Sequence, residues 1–475
     1  MRIVGFTMKR TPICIVILTI LSFSVARAAL PDDAREAMKR AATYLRSIST
    51  NGGYLWSYSR DLKDRRGESE ATATQVWVQP PGTPAVGQVF LRAYDVTKDT
   101  FYLDAAREVA GALAYGQLES GGWDYRIDFD PKSTRWYRRA EVGKVSPEQA
   151  ARRRNNTVFD DENTQSAIRF LLAFVKATEG STDARDAMAR DTLDYALKKM
   201  LEAQYPNGAW PQVYPGGKRD GADYPVMRAR FPEDWRAQKP VKAYWYHYTF
   251  NDDAMRDCLL VMLEAHAQLG RPEYLEAAKR CGAFMVMAQL PEPQPAWAQQ
   301  YDAGMEPCWA RRFEPPSVCS AESAGVIHAL IDLYLVTGEE MFVKPIPAAV
   351  EWLKRSQISP GRWARFYELK TNRPLYFTRK YELTYADDDL PTHYSFQSGY
   401  GVAGAIGRFE QLQALGRDDL RKRAQRQVRG PSEDVVRNIV TSMDPQGRWV
   451  TDSRIEMRTY TRNLAILSDC IEARQ

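Results

Sequence analysis

Three stretches of the chain place acidic residues directly ahead of an amphipathic helix: FDDENTQSAIRFL from Phe159, YTFNDDAM from Tyr248 and CSAESAG from Cys319. A single Asp, Asn or Ser in such a place is an ordinary helix cap. Asp160-Asp161 and Asp252-Asp253 bring two carboxylates each, more than a cap uses. Hard oxygen donors arriving from two separate loops suit calcium, which accepts carboxylates, carbonyls and water in flexible geometry. Two further stretches are cationic and aromatic: PCWARRFEPP, from Pro307 to Pro316, and GRWARFYELKTNRPLYFTRKYE, from Gly361 to Glu382. Arg311, Arg312, Arg365, Arg373, Arg379 and Lys380 stand there among Trp363, Phe366 and Tyr367. Guanidinium groups bind carboxylates through paired hydrogen bonds, and the rings can stack on sugars or brace the arginines. Such a set describes a cleft for an acidic ligand, with a solvated basic surface as the plainer alternative. Zinc chemistry is disfavoured, because the chain has only 4 His and neither HExxH nor paired CxxC.

The elements that must position these residues repeat along the chain. An amphipathic helix ends in a polar residue, a Gly or Pro turn and an aromatic in AYGQLESGGW, LEAQYPNGAW, VMAQLPEPQPAW and KRSQISPGRW, which close on Trp123, Trp210, Trp297 and Trp363. Fainter copies end at Tyr54 and Trp449. Six copies over the chain indicate one architecture and not several domains. Between them, apolar residues at i, i+3, i+4 and i+7, as in Ile168, Leu171, Leu172 and Val175, mark helices joined in pairs by short polar links. No alternating run is long enough for a central sheet. The expected fold is therefore all-α, an α/α toroid of helical hairpins. Short links at one face leave the long segments to gather at the other, which is where a site belongs.

Composition bounds the rest. Of 475 residues, 44% are hydrophobic and 26% charged, as in ordinary globular proteins. Residues 1–28 read as a secretory signal peptide, with a basic start, a short apolar run and Ala26-Arg27-Ala28 as the cleavage site. A membrane anchor needs a longer apolar run. Its removal takes four cationic residues and no acid, so the formal charge of +5 becomes +1. The expectation is a secreted or periplasmic monomer, residues 29–475 forming one catalytic domain with a charged insertion at 126–158. A near-neutral exported chain argues against nucleic acid as a partner. Five cysteines remain, an odd number that argues against a disulfide scaffold; Cys308 and Cys319 bracket a loop and are the candidates for pairing.

The acidic stretch with its RFL helix, QYPNGAWPQVYP, YHYTFNDDAM, and WARRFEPP followed by RWARFYELKTNRPLYFTR together resemble the pectate lyases of polysaccharide lyase family 10. The likeness is strongest over residues 159–400. It implies an α/α toroid that cleaves polygalacturonate by calcium-assisted β-elimination. By motif it implies Asp160 and Asp252 as calcium carboxylates, Arg311 as the base with Arg312 as the neighbouring register, and Arg365 and Arg379 as ligands of substrate carboxylates. Arg312 and Arg373 are further candidates for substrate binding. The family's Asp-Asn appears here as Asp160-Asp161, and Pro391, Thr392 and His393 stand where the family carries an arginine pair. That departure removes one cationic contact, which the arginines of the insertion are placed to replace. The alternatives are a glycoside hydrolase on the same toroid with Asp252 and Glu322 as acid and base, a terpene-cyclase-like toroid, and a non-catalytic polysaccharide-binding toroid.

Overall fold

The structure, a computed structural model, describes residues 14–217, 220–424 and 430–474, with side chains of the first helix from Leu30 onward. The leader expected at residues 1–28 lies outside the described side chains. Among the described residues, no helix is long and apolar enough to cross a membrane.

Among the described residues thirteen helices follow one another: α1 Cys14–Ile48, α2 Thr83–Thr97, α3 Thr100–Gly116, α4 Pro147–Ala151, α5 Asn163–Ala177, α6 Ala184–Ala203, α7 Ala254–Leu269, α8 Pro272–Met287, α9 Ser320–Thr337, α10 Ile346–Arg355, α11 Val402–Ala424, α12 Glu433–Thr441 and α13 Met457–Glu472. The short α4 lies in the charged insertion. The other twelve form two layers. In the inner layer α13, α2, α5, α7, α9 and α11 pack in that succession, and α1, α3, α6, α8, α10 and α12 lie outside them. This is the α/α toroid expected from the repeats. The ring is open, because α11 and α13 do not pack closely on each other as the other inner neighbours do.

The repeated turn follows each outer helix, and its aromatic residue explains why it recurs. The last carbonyls of a helix have no partner within the helix. Indole N–H groups of the turns donate back to them: Trp123 to Leu113 at 2.8 Å, Trp210 to Met200 at 3.0 Å, Trp297 to Met285 at 2.8 Å, Trp363 to Leu353 at 2.7 Å and Trp449 to Ile439 at 2.9 Å. All five rings are buried. The glutamine of the turn then reaches sideways. Gln117 donates to the Thr192 carbonyl of α6, Gln204 to Ala277 of α8, and Gln289 to Pro345 just ahead of α10. Gln357, at the open side of the ring, donates only to Lys354 in its own helix.

Short antiparallel ladders join consecutive long segments at the opposite face from the links. Residues 57–59 pair with 454–456, 75–77 with 126–128, 157–158 with 213–214, 248–249 with 300–301, and 366–367 with 318–319. These ladders, too short to show as alternation, are the feature that periodicity did not forecast. They tie the loops to one another, so the side chains between them are held by two neighbours.

Trp210→Phe keeps an aromatic ring but leaves the Met200 carbonyl buried without a donor. It is expected to lower unfolding stability by about 2 kcal/mol while preserving the helical circular dichroism, read from the urea midpoint. A midpoint equal to that of the unsubstituted protein would show that the indole bond is not what closes the turn.

Candidate active site

Two of the acidic stretches fold alike. Asp160–Glu162 and Asn251–Asp253 are single 3-10 turns, each following a buried phenylalanine, Phe159 and Phe250, and each leading into an inner helix, α5 and α7. In both, two successive residues are left-handed: Asp161 (φ 50°) and Glu162 (φ 60°), Asp252 (φ 48°) and Asp253 (φ 56°). Non-glycine residues adopt this region at a cost of order 1 kcal/mol or more and keep it only where the surroundings enforce it. The N–H groups of Asn163 and Ala254 close the turns on the Asp160 and Asn251 carbonyls. The shared pattern makes Asp161 the counterpart of Asp252, and Asn251 the counterpart of Asp160.

Packed side by side, the turns bring Asp160, Asp161 and Asp252 together, with one carboxylate oxygen of each within 4.8 Å of the others. Neutral donors hold their outer sides. Tyr125 donates to Asp160 Oδ2 at 3.1 Å, Gln79 to Asp161 Oδ2 at 2.9 Å, and Asn251 to Asp252 Oδ2 at 2.6 Å. Asp160 Oδ1 is buried with no hydrogen-bond partner. Burial and the Asp252 charge push Asp160 up to about 6, while burial together with the Asp160 and Asp252 charges pushes Asp161 up to about 7. Converging carboxylates with a buried lone pair left over fit a hard divalent ion.

Arginines adjoin this cluster. Arg365 Nη2 lies 2.9 Å from Glu322 Oε1 and 3.8 Å from Asp252 Oδ1. Burial is the largest influence and opposes its charge, but Glu322, Tyr394 and Asp252 together outweigh it and raise its pKa. Arg311 is bound through Nε and Nη2 to Glu314, which is 2% exposed. Here too burial favours the neutral form, and the Glu314 hydrogen bonds and charge reverse it, so the Arg311 pKa is raised. The Tyr394 ring adjoins both guanidinium groups, 4.9 Å from that of Arg365 and 5.5 Å from that of Arg311.

Over residues 117–408 the chain matches the model of a family described as pectic acid lyase. The chain belongs to the pectic acid lyase family. It is thereby a polysaccharide lyase. Among solved structures, a mutant family 10 polysaccharide lyase from Cellvibrio cellulosa in complex with trigalacturonic acid is 21% identical, covers 70% of this chain and 98% of that one, and has a TM-score of 0.46. A cellobiose 2-epimerase from Bacillus thermoamylovorans is 10% identical, with coverage of 94% and 99% and a TM-score of 0.45. An inactive α-1,6-mannanase from Salegentibacter sp. is 11% identical, with coverage of 93% and 99% and a TM-score of 0.39. No curated protein matches the chain at a significant level. Scores this low leave the residues of this pectic acid lyase to be placed by their own geometry.

Of the residues singled out in the sequence, Asp160, Asp252, Arg311 and Arg365 gather around Asp161 and Tyr394. Arg312 lies at their edge, its guanidinium 3.7 Å over the Tyr381 ring, which stacks on Phe313. Arg373 and Arg379 are engaged elsewhere, Arg373 over the Tyr385 ring at 3.5 Å and Arg379 with Asp389 at 3.4 Å. Among the described residues, no contact joins either of them to the acidic cluster. Cys308 and Cys319 are free thiols and not a disulfide, each packed against its own neighbours, Gln300 and Ser317. Four arginines of the insertion have partners near it: Arg138 the Asp128 carbonyl, Arg139 Asp191, Arg153 Glu141 and Arg154 Asp124. What the segment lacking the arginine pair supplies instead is Tyr394.

Asp161 was noted in the sequence only as half of the Asp160-Asp161 pair, and Glu314, Tyr394, Tyr125 and Gln79 were not marked as site residues. A signal existed for the first alone, since aligning FDDEN with FNDDA on their phenylalanines pairs Asp161 with Asp252. Gln79 precedes the family match and reaches the site only through the ladder of residues 75–77 with 126–128.

The crowded carboxylates bear on stability. From about pH 4, the ordinary carboxylate range, up to about 7, the folded chain retains protons that the unfolded chain has released. Their contribution therefore lowers stability as pH rises through this window. In chelator-treated protein, Asp161→Asn is expected to flatten that fall and raise the urea midpoint at about pH 8. A midpoint lower than that of the unsubstituted protein would contradict the crowding.

Proposed function

We propose that the chain is an exported pectate lyase that cleaves polygalacturonate by β-elimination, with calcium held by Asp160, Asp161 and Asp252 and with Arg311 as the base. The observation that carries this reading is the meeting, in a pectic acid lyase, of a three-carboxylate cluster with two arginines braced on buried acids. Export rests on the leader-like residues 1–28.

The C5 proton of a galacturonate lies α to a carboxylate, and its removal builds negative charge there. Bound calcium supplies Lewis-acid stabilisation of that charge. Arg365, fixed between Glu322 and Asp252, is the second positive group available to the substrate carboxylate and is preorganised for it. Arg311 takes the C5 proton. The C5–H electron pair forms the C4–C5 double bond, the C4–O4 bond breaks, and the departing oxygen is protonated from water. Nη1 is the Arg311 nitrogen that takes no part in the Glu314 bonds, so it is the atom left to receive the proton. Because Glu314 raises the Arg311 pKa, the neutral form grows only as pH increases, and cleavage is expected to accelerate from neutral into alkaline pH. The glycoside hydrolase alternative asks Glu322 to exchange protons, yet that carboxylate is 3% exposed and tied to Arg365.

Polygalacturonate incubated with the protein and calcium is expected to yield an unsaturated uronate, seen as rising ultraviolet absorbance, silenced by chelator and restored by added calcium. Asp252→Ala and Arg311→Ala are each expected to abolish the signal with helical circular dichroism intact. Retained activity in both variants would sink the assignment, and saturated products would favour hydrolysis.

A further inference from the structure

Glu314 follows Arg311 by three residues, and its carboxylate accepts four hydrogen bonds. Oε2 receives the Arg311 backbone N–H at 3.0 Å and Nε at 2.7 Å. Oε1 receives Arg311 Nη2 and the Tyr394 hydroxyl, the latter at 3.0 Å. The main chain closes around the pair, with Glu314 N–H donating to the Arg311 carbonyl at 2.8 Å and Ala310 N–H to the Glu314 carbonyl at 3.1 Å. A rotation of either side chain therefore breaks several bonds at once. Tyr394 is equally fixed, stacked on Phe366 and edge-on to Phe313.

Burying a carboxylate carries a large desolvation cost, and ion pairing of this kind is not generally a gain in stability over an apolar residue. Packing alone does not call for an acid at 2% exposure. The bond pattern supplies a reason for one. A carboxylate gripping the Nε and Nη2 edge fixes the guanidinium plane by two parallel bonds, and leaves Nη1 as the part of Arg311 free of these bonds.

We propose that Glu314 is a positioning residue that aims Arg311, and that through Tyr394 it also fixes the separation of Arg311 from Arg365. The proposal rests on the reading of Arg311 as the base. Glu314 then acts twice on the reaction, holding the guanidinium in register with the substrate and setting the pH at which its proton is lost. The groups facing Arg311 are Glu314 from its own turn, Tyr394, Tyr244 ahead of α7, and more distantly Asp160 and Asp161. Of these, Glu314 is the one that donates no proton and is bonded to the guanidinium directly.

The test is steady-state cleavage of polygalacturonate by Arg311→Ala, Glu314→Gln and Tyr394→Phe, across pH and with calcium present. Glu314→Gln preserves shape but removes the counter-charge and one acceptor oxygen. It is expected to lower kcat by about 100-fold with KM changed only a few-fold, and to move the alkaline rise of the rate to lower pH, while thermal unfolding stays close to that of the unsubstituted protein. Tyr394→Phe is expected to lower kcat less, without moving the pH profile. Guanidinium chloride at millimolar concentration is expected to restore part of the activity of Arg311→Ala, and none in Arg311→Ala combined with Glu314→Gln. Unchanged kcat and pH profile in Glu314→Gln, in an enzyme that Arg311→Ala inactivates, would overturn this inference and leave the base assignment standing. An unsubstituted protein that does not cleave polygalacturonate would overturn both.

Discussion

Like charges drawn to within 4.8 Å of one another move apart unless the backbone prevents it. At the mouth of this toroid the backbone prevents it twice, with the same device. Each of two 3-10 turns forces two consecutive acidic residues into the left-handed region, and each is pinned from behind by a buried phenylalanine and from ahead by an inner helix. The crowding of Asp160, Asp161 and Asp252 is paid for by the fold. Everything else at that face is consistent with keeping it: neutral donors on the outer sides of the carboxylates, arginines at their flank, and ladders joining the loops that carry them.

The hairpin repeat explains how a ring of separate helices acquires enough rigidity for this. An indole bond ends each of five outer helices at a set place, and a glutamine ties three of the turns to the next outer helix. Where the glutamine bond is missing, after α10, the close packing of the inner helices is missing as well. The acidic cluster and its arginines lie on α5, α7, α9 and the loops about them, within the stitched part of the ring and away from its opening.

The two arginines at the site illustrate one electrostatic rule with two settings. Burial works against the charge of both, and in both the neighbouring carboxylates and tyrosines together reverse the outcome. Arg365 sits between Glu322 and Asp252 and is thereby built into the acidic cluster. Arg311 has Glu314 along one edge and, among the described residues, no hydrogen bond at Nη1, an arrangement suited to meeting a ligand. Tyr394 packs against both, its ring 4.9 Å from the Arg365 guanidinium and 5.5 Å from that of Arg311.

The sequence by itself determined the helical hairpins, their repetition, the face on which the long segments gather, and four of the residues that meet there. These are local properties: 3.6-residue periodicity, turn chemistry and runs of charge are all written in neighbouring residues. Arg379, named by motif, and Arg373, named with the cationic stretch, pair with Asp389 and Tyr385 in this structure, and only the tertiary structure decides which side of a short strand or turn such a side chain takes. The Cys308–Cys319 pairing failed for the same reason, since bracketing a loop fixes separation along the chain and not the direction of two side chains. Gln79, Tyr125 and Tyr394 reach the site from segments distant in the chain, brought there by ladders of two or three residues that leave no periodic trace. Contact across such distances is set by how the ring closes, and that is a property of all the hairpins together.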